Sequence, residues 1–184
     1  MVLRVQGGRF KGTVLQTPPD ATFRPTSARR RQAVFDILRA HLDGFEGVRF
    51  ADVFAGTGAV GIEALSEGVA HVIFIENDPT AAGLIRRNVA GLDLGRQVTL
   101  LRNDATRLGT ATAPVEVAFL DPPYGQNLAE RALCRLVEGR WLTADAVVLV
   151  ELGKADPFDP PPGLAIERTH THGAGRLVRL GLVT

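Results

Sequence analysis

With a single cysteine, Cys134, the chain can form neither an internal disulfide nor a cysteine-based metal cluster. It sits in a helical pattern with Ala132, Leu133, Leu136 and Val137, so a buried structural thiol is expected. No apolar run approaches the ~18 residues of a membrane span. The opening Met-Val-Leu-Arg-Val lacks the apolar core of a signal peptide. A reduced, cytoplasmic setting without membrane is expected. The four histidines make no ligand set: His170 and His172 alternate on one expected strand, and His41 and His71 are isolated. No metal is expected. The 184 residues, 45% hydrophobic and 22% charged, suit one globular domain with a real core.

Net charge is only +1, yet it is unevenly spread. Residues 1–39 hold Arg4, Arg9, Lys11, Arg24, Arg29, Arg30, Arg31 and Arg39 against Asp20 and Asp36, so 8 − 2 gives +6 and the rest carries −5. A basic head on an acidic body fits a polyanionic ligand; a solvated helix face is the plainer reading. Gly7-Gly8-Arg9-Phe10-Lys11-Gly12 reads as a flexible loop offering two charges and an aromatic that could stack on a base.

The strongest motif is Leu120-Asp121-Pro122-Pro123-Tyr124, closing the apolar run Val115 to Leu120 and containing the only tyrosine. The exocyclic amine of a nucleobase is a weak nucleophile because its lone pair is delocalised into the ring. A carboxylate and a backbone carbonyl that accept its two N–H groups draw the nitrogen toward a reactive geometry. Pro122 and Pro123 stiffen the turn, and Tyr124 offers a stacking face. The plainer reading is a turn after a strand.

Residues 50–61, Phe-Ala-Asp-Val-Phe-Ala-Gly-Thr-Gly-Ala-Val-Gly, run from a strand into a glycine turn. Gly56, Gly58 and Gly61 satisfy a dinucleotide fingerprint, and Glu76 ends the next strand, where an acid would bind ribose hydroxyls. That implies a nucleoside-containing cofactor. Asp52 either organises the turn or reaches the cofactor through water. Asp78 reads as a helix cap.

Strand and helix alternate through the middle: strand 50–54, helix 60–67, strand 71–75, helix 79–92, strands 98–101 and 115–120, helix 127–138, strand 146–151. This predicts an α/β fold with a parallel sheet and helices on both faces. Residues 164–168 and 176–182 read as a closing C-terminal hairpin, and Leu3–Val5 with Thr13–Leu15 as a small N-terminal β-hairpin. A helix is expected after Thr26 or Ser27. Asp52, Glu76, Asp104 and Asp121 all fall at strand ends, where an open α/β sheet binds its ligand.

The ordered strand ends Asp52-Val53-Phe54-Ala55-Gly56-Thr57-Gly58, Ile75-Glu76-Asn77-Asp78, Asn103-Asp104-Ala105 and Asp121-Pro122-Pro123-Tyr124 resemble S-adenosylmethionine-dependent methyltransferases. Gly7 to Gly12, Phe23-Arg24-Pro25-Thr26, Arg31 to Leu38 and Gly58 to Leu65 look like the RsmD family of bacterial 16S ribosomal RNA guanine-N2 methyltransferases. The resemblance implies a Rossmann-like class I methyltransferase with a mostly parallel seven-stranded sheet. Residues 1–26 would form an RNA-binding extension and residues 27–184 the catalytic core. S-adenosyl-L-methionine would lie on Asp52, Phe54, Ala55, Gly56, Gly58, Glu76, Asn77, Asp104 and Ala105, with Asp104 accepting from the adenine amine. Asp121, Pro122, Pro123 and Tyr124 would hold the acceptor amine. Arg9, Phe10, Lys11, Arg24, Thr26, Arg29 and Arg30 would contact RNA, and the basic head 4–31 would grip phosphates around an extruded base. The partner implied is 16S rRNA, free or in a 30S subunit or assembly intermediate, met by a monomer.

The glycine turn and Glu76 would equally serve a nicotinamide-dinucleotide oxidoreductase, which leaves Asp121 to Tyr124 without a purpose. A non-enzymatic RNA-binding protein would not need Asp121 and Glu76. An adenine-N6 methyltransferase shares the Asp-Pro-Pro-Tyr site, and only the family resemblance separates it from guanine N2.

Overall fold

A computed structural model describes residues 2–18, 26–123, 126–173 and 175–183. Arg24 and Tyr124, both expected at the site, lie outside the described residues.

The β-α alternation yields strands β1 (Arg49–Val53), β2 (His71–Ile75), β3 (Val98–Leu101), β4 (Val115–Leu120), β5 (Leu142–Gly153), β6 (Leu164–His172) and β7 (Gly175–Leu182). Helices are α1 (Ala28–Arg39), α2 (Ala59–Glu67), α3 (Pro79–Gly91) and α4 (Leu128–Glu138). They build one seven-stranded sheet in the order β3-β2-β1-β4-β5-β7-β6. β1 to β5 pair in parallel, and β7 lies antiparallel between β5 and β6. The chain winds outward from β1 through β3, then returns to β4 on the other side of β1. That reversal places a crevice beyond the carboxyl ends of β1 and β4.

The inner strands are buried on both faces, as parallel sheets require. Alternate residues feed two cores: Phe50, Val72, Phe74, Val117 and Phe119 meet α1, α2 and α3. Ala51, Val53, Ile73, Ile75, Ala118 and Leu120 meet α4. Cys134 is half-buried rather than buried, because the inward face of α4 is Ala129, Ala132, Leu133 and Leu136.

Three boundaries depart from the hydrophobic pattern. β5 starts at Leu142, before the expected 146, because Ala144 and Asp145 are exposed and interrupt the apolar signal. β6 reaches His172 rather than 168; as an edge strand it carries exposed Glu167, Arg168 and Thr169. The expected N-terminal hairpin pairs its two segments too briefly to form regular strands: one antiparallel bridge, Arg4 to Val14, is flanked by backbone bonds from Leu15 to Leu3, Val5 to Thr13 and Gly12 to Val5. Its apex is a 3-10 turn, Gly8–Phe10, docked on the end of α2. A Cβ at Gly8 would fall 1.9 Å from the Ser66 carbonyl oxygen, so only glycine permits this approach.

Candidate active site

Each strand of the inner sheet ends where the next residue must leave the ladder, and the acids are held there by the last ladder bonds. The Asp121 N–H donates to the Val53 carbonyl at 3.3 Å, and the Glu76 N–H to the Leu101 carbonyl at 3.1 Å. Asp121 and Glu76 both push up the Asp52 carboxyl by their negative charge, so the three acids lie near one another at the strand ends.

The glycine turn is held from below by two of these acids. Glu76 accepts the Gly56 N–H at 2.7 Å and the Asp78 N–H at 2.8 Å, so its buried carboxylate is fixed in place against the turn. Asp52 accepts the Gly61 N–H at 2.9 Å, which supports its reading as organiser of the turn. Burial, the largest cause, raises its carboxyl well above the usual carboxylate range. Phe54 sits at φ 60°, a left-handed conformation costly for an aromatic residue, at the point where β1 enters the turn. Ala55 donates to the Ile75 carbonyl at 3.2 Å. A Cβ built on Gly56 would meet nothing within 4 Å, so open space lies above the turn. Gly61 serves packing: a Cβ there would lie 2.3 Å from the Phe74 ring.

Asn77 is exposed on the rim, and Asp78 caps α3 by accepting the Ala81 N–H at 2.8 Å. Asp104 is partly exposed; one oxygen accepts both the Thr106 N–H and hydroxyl at 2.8 Å, capping the short turn Ala105–Arg107. The Thr106 amide holds its carboxyl below the usual range, its hydroxyl and Arg107 adding to this. Ala105 is buried.

At the acceptor end, Asp121 is half-buried and its Oδ2 accepts the Thr26 hydroxyl at 2.7 Å. Burial raises its carboxyl, opposed by Thr26 and by the Arg30 guanidinium. Pro122 is buried and Pro123 exposed. Beside them opens a small cleft of about 30 Å³, also lined by Leu128, Ala129, Leu152 and Pro157.

The basic head divides. Arg9, Lys11 and Arg29 are exposed. Phe10 is half-buried against the core, with the Arg9 guanidinium 4.5 Å over its ring and Arg9 donating to Gln97 at 2.8 Å. The loop expected to be flexible is pinned, since Ser66 accepts the Phe10 N–H at 2.9 Å and donates to the Gly7 carbonyl at 2.6 Å. Thr26, expected on RNA, turns its hydroxyl toward Asp121. Arg30 pairs with the buried Glu151 at 3.5 Å, and His172 also meets Glu151 at 3.1 Å. Arg31 does not belong to a phosphate grip at all. It is 1% exposed, donates to Glu63 at 2.7 Å, and also binds the Thr26 and Arg4 carbonyls at 2.6 and 2.7 Å. Positions 31, 34, 35 and 38 share one face of α1, so helical spacing already carried that signal, masked by the run Arg29-Arg30-Arg31. The Thr26–Asp121 bond had no sequence signal, for 95 positions separate the partners.

Among the described residues no group of three or more His, Cys, Asp or Glu is arranged to hold a metal ion, and no helix is long and apolar enough to cross a membrane.

Comparison with known proteins sets this geometry in context. A family model described as Conserved hypothetical protein 95 matches residues 3–180. The Haemophilus influenzae protein named Ribosomal RNA small subunit methyltransferase D is 31% identical over 93% of this chain and 89% of its own length. Its Escherichia coli K12 namesake is 32% identical over 81% and 74%. Among solved structures, a hypothetical protein of Thermus thermophilus aligns at TM-score 0.77 and 32% identity, covering 99% of this chain and all of that one.

Proposed function

The chain belongs to the Conserved hypothetical protein 95, or RsmD, family, and from that premise we propose that it methylates the exocyclic N2 of a guanine in 16S rRNA, with S-adenosylmethionine as donor. The observation that carries the reading is Asp121, half-buried at the end of β4, one oxygen held by Thr26 and the other left to the acceptor amine. The resemblance to relatives that act on ribosomal RNA supports the substrate. A nicotinamide oxidoreductase would use the glycine turn and Glu76 but give Asp121 nothing to do.

The residues present fit the donor. The open space above Gly56, with Glu76 fixed at its edge, suits a ribose whose hydroxyls donate to the carboxylate. Asp104 on the rim and the backbone N–H of buried Ala105 would meet adenine, and Phe54, Ala55, Gly58 and Asn77 would wall the rest. When bound, S-adenosylmethionine supplies an electrophilic methyl group on a sulfonium centre. The protein's part is positioning and electrostatics. Asp121 accepts one amine N–H and the backbone carbonyl at the Pro122–Pro123 turn the other, turning the nitrogen lone pair toward the methyl group. The nitrogen held in this way would take the methyl group that the bound donor supplies, the donor leaving as its thioether, and the surplus proton would pass to Asp121 or to water. Tyr124 would stack on the extruded base. Exposed Arg9, Lys11 and Arg29, with Arg24, would grip neighbouring phosphates. Residues 1–26 act in this scheme as the RNA-binding extension of a monomeric cytoplasmic enzyme, and the substrate is 16S rRNA, free or within a 30S particle.

Mass mapping of methylated nucleosides in rRNA from a deletion strain tests the substrate: one N2-methylguanosine in 16S rRNA disappears. Loss of an N6-methyladenosine instead would move the acceptor to adenine. Asp121→Ala abolishes methyl transfer in a tritiated-methyl assay and keeps cofactor affinity; near-normal turnover would overturn the mechanism.

A further inference from the structure

We propose that Thr26 is a positioning residue for the methyl-transfer step: its hydroxyl orients the Asp121 carboxylate, and buried Arg31 sets Thr26 in place. The inference rests on the reading of Asp121 as the acceptor-side carboxylate. The contacts form one continuous chain. Glu63 on α2 binds Arg31 Nε at 2.7 Å, Arg31 Nη1 binds the Thr26 carbonyl at 2.6 Å, and Thr26 Oγ1 binds Asp121 Oδ2 at 2.7 Å. Arg31 and Glu63 are 1% and 2% exposed, so the anchor of this chain is locked inside the protein. Thr26 stands just ahead of Ser27, the cap of α1, which limits its backbone freedom.

A carboxylate on a strand end can rotate about its last torsion, which is broad and roughly two-fold. A donor fixed on one oxygen removes that freedom and aims the other oxygen at the acceptor amine. The same donor favours the ionised carboxylate, the form that accepts the amine proton. The other charges facing Asp121 are Arg30 on α1, which favours ionisation, and Asp52 on β1, whose carboxyl Asp121 pushes up. Glu151 on β5 holds Arg30 and is itself met by His172 on β6.

The test compares Thr26→Val, which keeps shape and removes the donor, with Thr26→Ser, which keeps the donor. Thr26→Val lowers kcat about 10- to 100-fold, the scale of a lost hydrogen bond to a charged group. KM for S-adenosylmethionine and for rRNA stays near wild type, since the interaction acts on the reacting geometry. The acid limb of the kcat–pH profile moves to higher pH, because a carboxylate without its donor holds its proton longer. Thr26→Ser recovers both kcat and the limb. S-adenosylhomocysteine calorimetry and the melting temperature verify folding, and should Thr26→Val not fold, Thr26→Ala carries the same readouts. An unshifted limb with wild-type turnover in the donor-less variant overturns the proposal, as does a Ser variant as impaired as Val. Asp121→Asn separates this from the reading beneath it: full turnover there sinks the assignment of Asp121, whereas an inactive Asp121→Asn beside a normal Thr26→Val sinks only the role of Thr26.

Discussion

Replacing Arg31 with Met removes three hydrogen bonds at once and strands a carboxylate. Arg31 and Glu63 are 1% and 2% exposed, and the guanidinium also binds the Thr26 and Arg4 carbonyls. Breaking one partner of such a pair costs about 3–5 kcal/mol, because the remaining charge stays buried without compensation. For a chain of this size each kcal/mol moves Tm by about 2–4 °C, so Tm falls by about 6–20 °C. The deficit depends on pH. Burial already raises the Glu63 carboxyl, with Arg31 opposing, and losing Arg31 raises it further. A folded value above the unfolded one contributes stability that is complete below the unfolded value and lost as pH rises through the folded one. The variant therefore lies furthest below wild type at neutral pH and recovers on acidification toward about pH 5. Arg31→Met with Glu63→Leu regains much of the loss, since the pair is then replaced rather than broken. Thermal unfolding followed by near-ultraviolet circular dichroism at several pH values measures all three. A single variant within about 2 °C of wild type at neutral pH would refute the reasoning.

Glu76→Ala weakens S-adenosylmethionine binding by about 1.5–3 kcal/mol, the range for a lost charged hydrogen bond; calorimetry with unchanged affinity would move the ribose contact elsewhere. Asp52→Asn keeps an acceptor for the Gly61 N–H but removes a carboxyl that burial raises well above its ordinary range. The wild-type contribution is present below the unfolded value and lost as pH rises, so the variant gains relative to wild type as pH rises above the ordinary carboxylate range, and parallel Tm curves without cofactor would contradict this. Changing exposed Arg9, Lys11 and Arg29 to Gln together lowers the magnitude of the log–log salt slope of RNA binding by roughly 2–3 and leaves cofactor affinity intact; an unaltered slope and affinity would take these residues off the phosphate backbone.

The alternating β-α pattern, the acids at the strand ends and the glycine turn were legible in the sequence because each is local. Burial on both sheet faces demands continuous apolar strands, as in Val115 to Leu120. A ladder that stops leaves the next side chain facing the crevice, as it does for Glu76 and Asp121. The Asp78 cap and its proline at the first helical position are equally local. The head was another matter. Arg29, Arg30 and Arg31 look alike in a row, yet a helix turns each to a different direction, so one is exposed, one pairs with Glu151 and one is buried against Glu63. Phe10 as a packed ring and Gly8 against Ser66 depend on α2 lying beneath them. The bond from Thr26 to Asp121 exists only once the segment leading into α1 meets the carboxyl end of β4. Periodicity reports what a residue's neighbours along the chain require of it. Which hydroxyl meets which carboxylate across the fold is decided by packing, and no local pattern encodes it.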